Sequence, residues 1–374
     1  MRAFTCGNCR EQLVFFENSS CLRCSAPLGY LPDVGALVAL DDLGDGRLRP
    51  VPLDRAAPGG RGAIYRRCAN AEIATCNWLV PAPSAVSAPL LCASCALTRT
   101  RPNDADLAAL AAFAKAESAK RRLLYQMADL GLRARGRAED PAGGLAFDLL
   151  SSSAGNVVTG HARGVVTLDL AEGDDAYRER TRHELGEPYR TVLGHLRHEI
   201  AHYFWPDVVE ATGRLDTFRI LFGDERADYG AALEHHYLTG PPPDWDAGHV
   251  SSYATMHPFE DWAETFAHYL HIHDTMQSAG AAGMVVVGPR DDTTGRRDAR
   301  LAAAPRENSL DDDAYERVIA EWLPLTYALN AVSRSMGRDD LYPFVLAPAV
   351  IAKLSFVHAS IRAAAARLAT VLAT

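Results

Sequence analysis

The stretch "LGHLRHEIAHYFW", residues 193–205, decides how this chain is read. Val192, Leu193, Leu196, Ile200 and Phe204 recur at helical spacing, which predicts an amphipathic helix with one face in a core. His198 and His202 lie four residues apart and project from one side of that helix, close enough for both imidazoles to reach a single ion. Glu199 is rotated by roughly 100° from His198, so it reaches past the metal to where a general base for a water molecule should stand. Chance alone produces HExxH in roughly 3 % of chains of this length and composition. The reading therefore needs a third ligand.

The place to find it is "SSYATMHPFEDWAETFAHYLHIHD", residues 251–274. Pro258 suits the first turn of a helix, and Phe259, Trp262, Phe266, Tyr269 and Leu270 then form an apolar stripe. Glu260 and Glu264 share a face, so one can complete the three protein ligands of a catalytic zinc while the other holds the free N–H of a ligand histidine. Without the upstream histidines such a pair would read as a solvated face. His268, His271 and His273 scatter around the axis and are not read as a second metal site. His257 lies just before the helix and is a candidate for substrate contact by proximity alone; His195 and Arg197 are assigned surface or supporting roles, and "HELGE" at 183–187 a surface turn.

The N-terminal hundred residues differ in kind from the rest, because all eight cysteines precede residue 96. Cys6, Cys9, Cys21 and Cys24 form two CxxC turns flanking "LVFF", and together they offer the four thiolates of a structural zinc site. Cys68, Cys76, Cys92 and Cys95 make a looser second set of four. Proline- and glycine-rich runs at 55–62 and 80–89 suit a loop-rich lobe stapled by metal rather than by a large core. Closed four-cysteine sites serve folding, so no catalysis is expected there. We expect a cysteine-rich domain over 1–100 and a catalytic domain over 101–374.

Leu107, Leu110, Phe113, Leu123, Leu124 and Met127 predict a helix from Asp104 that stops at Gly131. β-Branched residues around His161-Ala162-Arg163-Gly164 predict a hairpin or two sheet strands, with 164–170 as a strand able to pair with an extended peptide. A helix capped near Asp224 should end at Gly240; 279–313 reads as a surface excursion, and helices return at 314–337 and 346–373. The fold class is α+β: a cysteine-rich lobe, then a mainly helical domain with a small sheet. A net charge of −9 argues against a protein held to nucleic acid by bulk charge, although Arg61, Arg66 and Arg67 give slight support to a protease acting on nucleic-acid-bound proteins. Cysteines at positions 6 and 9 stand where a secretory signal needs its apolar core, and no run of eighteen uncharged apolar residues occurs, so a cytoplasmic protein with no membrane partner is expected.

HExxH followed by a downstream ExxAE helix resembles the gluzincin metallopeptidases. That resemblance implies Glu260 as the zinc ligand and Glu264 as the outer supporter, and the lethal-factor-like branch implies Tyr253 as the oxyanion donor, seven residues before the ligand. Over nearly the whole chain, "CNWLVP", "LCASC", "AKRRLLYQM", "FGDERADYGAAL", "GPPPDW" and "DLYPFVLAP", with the motifs above, are similar to a bacterial family of zinc-binding metallopeptidases carrying an N-terminal zinc ribbon. The likeness implies a zincin-like domain with one catalytic and two structural zinc ions, hydrolysing peptide or amide bonds in a peptide or protein substrate. The alternative is a zinc-ribbon adaptor, binding protein or nucleic acid, joined to an inactive peptidase scaffold.

Overall fold

The computed structural model describes residues 1–51, 63–82, 90–152, 157, 159–174, 191–290, 294–305 and 315–373. The 55–62 run with Arg61, residues 83–89 of the 80–89 run and the "HELGE" segment lie outside these residues.

Strands β1 (Phe4–Thr5) and β2 (Leu13–Val14) pair antiparallel on either side of the first cysteine turn. Beyond them the lobe is not the loop-rich body expected from its prolines and glycines. β3 (Leu28–Leu31), β4 (Ala36–Asp42), β5 (Leu48–Val51), β6 (Tyr65–Arg67) and β7 (Leu79–Pro81) form an antiparallel sheet in chain order. It has its own apolar cluster of Leu31, Val38, Leu40, Leu48, Tyr65 and Leu79. The signal was present in "LGYLPDVGALVALDDLGDGRLRPV", where apolar runs are broken by glycine turns.

After β8 (Thr98–Thr100), helix α1 (Leu107–Asp129) begins where the Asp106 side chain accepts the Ala109 N–H at 3.0 Å. It ends before Gly131, whose φ of +72° is a conformation only glycine adopts freely. Phe16 lies 5.1 Å, centroid to centroid, from Tyr125 of α1, so the first cysteine lobe packs directly on the helical body. β9 (Ala146–Leu150), β10 (Gly160–Ala162) and β11 (Val165–Asp169) complete a four-stranded sheet in the order β10-β11-β9-β8. The expected hairpin is β10–β11, turned at Arg163 and Gly164. The expected edge is not: β11 is paired on both sides, and β10 is the edge strand beside the histidines. A one-strand error of this kind arises because sequence alternation shows a strand but not its neighbours.

The histidine motif is on α2 (Val192–Trp205), followed by α3 (Leu215–Phe222), α4 (Tyr229–Thr239) and α5 (Pro258–Ala281). α4 starts later than expected, at an Asp228 cap, and ends at Gly240 as read. Residues 286–287 and 302–303 pair as β12 (Val286–Val287) and β13 (Ala302–Ala303), and α6 (Tyr315–Ser335) and α7 (Pro348–Ala373) close the back. Three side chains fasten α1, α2 and α5 together. Arg197 of α2 donates to Gln126 at 3.2 Å and to Asp274 at 2.8 Å, while Gln126 donates to the Leu270 carbonyl at 2.6 Å. Trp262 Nε1 adds a bond to the Ala201 carbonyl at 3.0 Å, locking α5 against α2. Among the described residues, Pro348–Val371 is long and apolar enough to cross a membrane by length and composition. Half of that window is buried, and Lys353 within it pairs with Asp261 of α5 at 2.5 Å, the packing of a core helix.

Candidate metal centre

Helix α2 is started by Thr191, whose side chain accepts the Gly194 N–H at 2.9 Å. That start fixes the phase in which His198 and His202 face α5. Opposite them Glu260 stands in the first turn of α5, with one oxygen 3.0 Å from His198 Nε2 and the other 3.5 Å from His202 Nε2. One donor atom from each of the three residues falls within 4.8 Å of the others. Glu264, one turn further along, takes His198 Nδ1 at 2.7 Å and is itself bonded by the Ser251 hydroxyl at 2.6 Å. His198 is thereby turned with Nε2 inward.

The three residues open on a cavity of about 450 Å³, lined also by Glu199, His161, Tyr229, Tyr253, Trp205 and Phe259. Burial lowers the His202 pKa to about 3, so its imidazole is neutral, the form that binds metal. Burial opposes protonation of His198 too, but the carboxylates of Glu260 and Glu264 outweigh it and raise its pKa well above the usual value. Glu264 shows the converse: burial raises it, and His198 more than compensates, leaving it at about 2. Burial pushes the Glu199 carboxyl upward, the direction a proton acceptor needs. Carboxylates outnumber the one histidine that takes a proton, so the pocket is short of positive charge. Two imidazoles, one carboxylate and an open side suit a catalytic zinc ion by donor type and number.

Tyr253 lines the cavity with its ring 6.2 Å from that of His198, and burial with the nearby Glu260 charge keeps its phenol protonated far above neutral pH. His257 does not meet the cavity as expected. It is buried as the cap of α5, its Nδ1 accepting the Phe259 N–H at 3.1 Å and its Nε2 donating to the Ala227 carbonyl at 3.0 Å. Proximity in sequence placed it near the site, but both ring nitrogens serve the helix start. Arg197 supports the helices and His195 Nδ1 lies 2.7 Å from Glu172; His268 Nδ1 pairs with the Tyr342 hydroxyl at 2.7 Å behind the site.

Two cavity residues escaped the sequence reading. His161 of β10 stacks on His202 at 6.1 Å and accepts the Gly164 N–H on Nε2 at 3.1 Å, which leaves its proton on Nδ1; burial holds it neutral, with a pKa of about 4. Tyr229 donates to Glu260 at 3.1 Å. The cap residue Asp228 was a local signal for where Tyr229 begins its helix, but nothing local connects it to a glutamate 31 residues on.

The cysteines gather as two groups of four, Cys6, Cys9, Cys21 and Cys24, and Cys68, Cys76, Cys92 and Cys95, with their sulfurs within 4.8 Å of one another in each group. Cys6 and Cys24 lie 3.7 Å apart, Cys9 and Cys21 3.9 Å, Cys76 and Cys92 3.6 Å, and Cys76 and Cys95 3.8 Å. A tetrahedron with Zn–S bonds of 2.3 Å has edges of about 3.8 Å, and none of the eight is in a disulfide. The second group is fully buried on α1, where Lys120 and Glu117 pair at 2.6 Å and Arg121 donates to the Ala74 carbonyl at 2.9 Å.

Residues 109–360 match the family described as "Putative zinc-binding metallo-peptidase", and residues 3–106 match a zinc-ribbon domain. Uncharacterized proteins of Mycobacterium bovis and of two strains of Mycobacterium tuberculosis are 48 % identical over 360 residues, covering 96 % of this chain and 94 % of each relative. No solved structure matches the chain. With a match across most of its length and relatives aligned almost end to end, the chain belongs to this zinc-binding metallo-peptidase family and carries the zinc-ribbon domain ahead of it.

Proposed function

We propose that the protein is a zinc-dependent hydrolase of peptide or amide bonds, with zinc held by His198, His202 and Glu260. The observation that carries this reading is the convergence of those three donors on a cavity that also receives Glu199. When bound, zinc at such a site polarises a carbonyl and lowers the pKa of water at its open position to about 7. Glu199 accepts the proton of the attacking water and delivers it to the leaving nitrogen. Tyr253 donates a hydrogen bond to the developing oxyanion, and neutral His161 offers Nδ1–H from the β10 side. Glu264 keeps His198 in its binding tautomer. Trp205 and Phe259, with rings 4.9 Å apart, form an apolar wall that limits water around the reacting bond.

The cysteine groups hold two further zinc ions in this proposal and stabilise the fold. Eight thiols outside disulfides support a reducing, cytoplasmic setting. The substrate is a peptide or protein. Leu13, Phe15 and Leu22, 61 %, 75 % and 86 % exposed around the first cysteine turns, offer an apolar contact to a protein partner.

The test compares wild type with Glu199→Gln in a cell lysate, counting new peptide termini and bound metal. The variant should keep the metal and lose hydrolysis by about a hundredfold or more. Undiminished hydrolysis removes Glu199 as the base. Metal binding without hydrolysis in either protein returns the adaptor reading.

A further inference from the structure

Glu260 is 3 % exposed, and a buried carboxylate that binds metal needs its remaining lone pairs satisfied and its angle fixed. Its two oxygens are used differently: Oε2 faces His198 Nε2 at 3.0 Å, while Oε1 receives the Tyr229 hydroxyl at 3.1 Å and faces His202 Nε2 at 3.5 Å. Tyr229 is the first residue of α4, and its position is fixed from two sides. The Asp228 side chain caps α4 by accepting the Ala231 N–H at 2.9 Å, and His257, the cap of α5, donates to the Ala227 carbonyl at 3.0 Å. The Tyr229 and His257 rings lie 5.2 Å apart. The starts of α4 and α5 are therefore joined by two hydrogen bonds, one from the α5 cap to the carbonyl just before the α4 cap and one that ends on Glu260.

Apart from this joint α4 is lightly held, since none of its eleven residues is fully buried. His236, two turns on and on the face of Tyr229, sets its ring 5.9 Å from that of Tyr253. One face of α4 thus touches both Glu260 and Tyr253, the carboxylate assigned to the metal and the phenol assigned to the oxyanion.

We propose that Tyr229 is a positioning residue for Glu260: its hydroxyl fixes the carboxylate for metal binding and fastens α4 to the site as one wall of the cleft. The inference rests on the reading of His198, His202 and Glu260 as zinc ligands. Ligating carboxylates depend on such partners, and loss of one typically weakens metal binding 10- to 100-fold.

The experiment uses the full chain loaded with zinc and titrated with a chromophoric chelator, the cysteine-bound zinc being counted separately by its release with a thiol reagent. Wild type, Tyr229→Phe, Tyr229→Ala and, as a control on the same helix, Tyr237→Phe are compared, each with its melting temperature. Tyr229→Phe removes only the hydroxyl and should weaken the thiol-independent zinc by about 10- to 100-fold with an unchanged melting temperature. Tyr237→Phe should match wild type. If Tyr229→Phe holds zinc as tightly as wild type, or if only Tyr229→Ala weakens it, the residue merely fills space and the proposal is overturned. If wild type itself binds no zinc beyond the cysteine groups, it is the ligand reading that has failed, a result visible before any variant is compared.

Discussion

Tyr253 and Glu199 reach the same cavity by different routes, and their substitutions should differ accordingly. Glu199 belongs to the helix that bears both histidines, whereas Tyr253 comes from a short turn of helix, Tyr253–Thr255, ahead of α5. Tyr253→Phe keeps the ring in place and removes the donor. Zinc content should be unchanged and kcat should fall about a hundredfold, the typical effect of losing one oxyanion donor, with KM moving little. An unchanged kcat, measured on whichever peptide the lysate comparison yields, would release Tyr253 from that role. At this scale HExxH was legible because its spacing is set by one helix. Tyr229 and His161 were not, since only tertiary contacts bring them to Glu260 and His202.

At the scale of the element, α5 places the carboxylates assigned to the metal near its start and a buried histidine one turn further along. Glu260 and Glu264 face α2, while His268 is buried against Tyr342. Burial lowers the His268 pKa from 6.5 to about 4. Its folded value lies below its unfolded one, so its contribution is complete above pH 6.5 and is lost as the pH falls from 6.5 towards 4. The loss is on the order of 3 kcal/mol. His273, also lowered to about 4 by burial, acts in the same direction. Melting curves between pH 7 and pH 4 should therefore fall more steeply for wild type than for His268→Gln; parallel curves would show that His268 does not carry the effect. The apolar stripe of α5 was readable at period 3.6, but which polar residues lay under other helices was not.

For the whole molecule, one apolar core runs from Phe4 and Phe16 through Cys76 and Trp78 to the helices around Trp262 and Val357. The two cysteine groups are not equivalent within it. Cys9 and Cys24 are partly exposed in the first group, whereas all four cysteines of the second are buried on α1, which packs against the histidine helix. Cys76→Ser should therefore destabilise the entire chain by several kcal/mol, seen as a lower single melting transition and reduced zinc at the catalytic centre as well. Cys9→Ser should open the first turn to protease while the main transition moves little. A main transition that moves as little for Cys76→Ser as for Cys9→Ser would mean that the second cysteine group unfolds separately from the helical body.

Local spacing was enough for the sequence to determine the CxxC turns, the histidine pair on one helical face and the glutamate pair on another. Those patterns depend only on the rise and turn of one helix or the reach of one tight turn, and the chain encodes both locally. The tertiary structure alone decided that β10 is the edge strand beside the histidines, that His257 caps a helix, and that Tyr229 meets Glu260. Each of these depends on which distant segments pack together, and packing is settled by the joint burial of many side chains rather than by the period of any one segment.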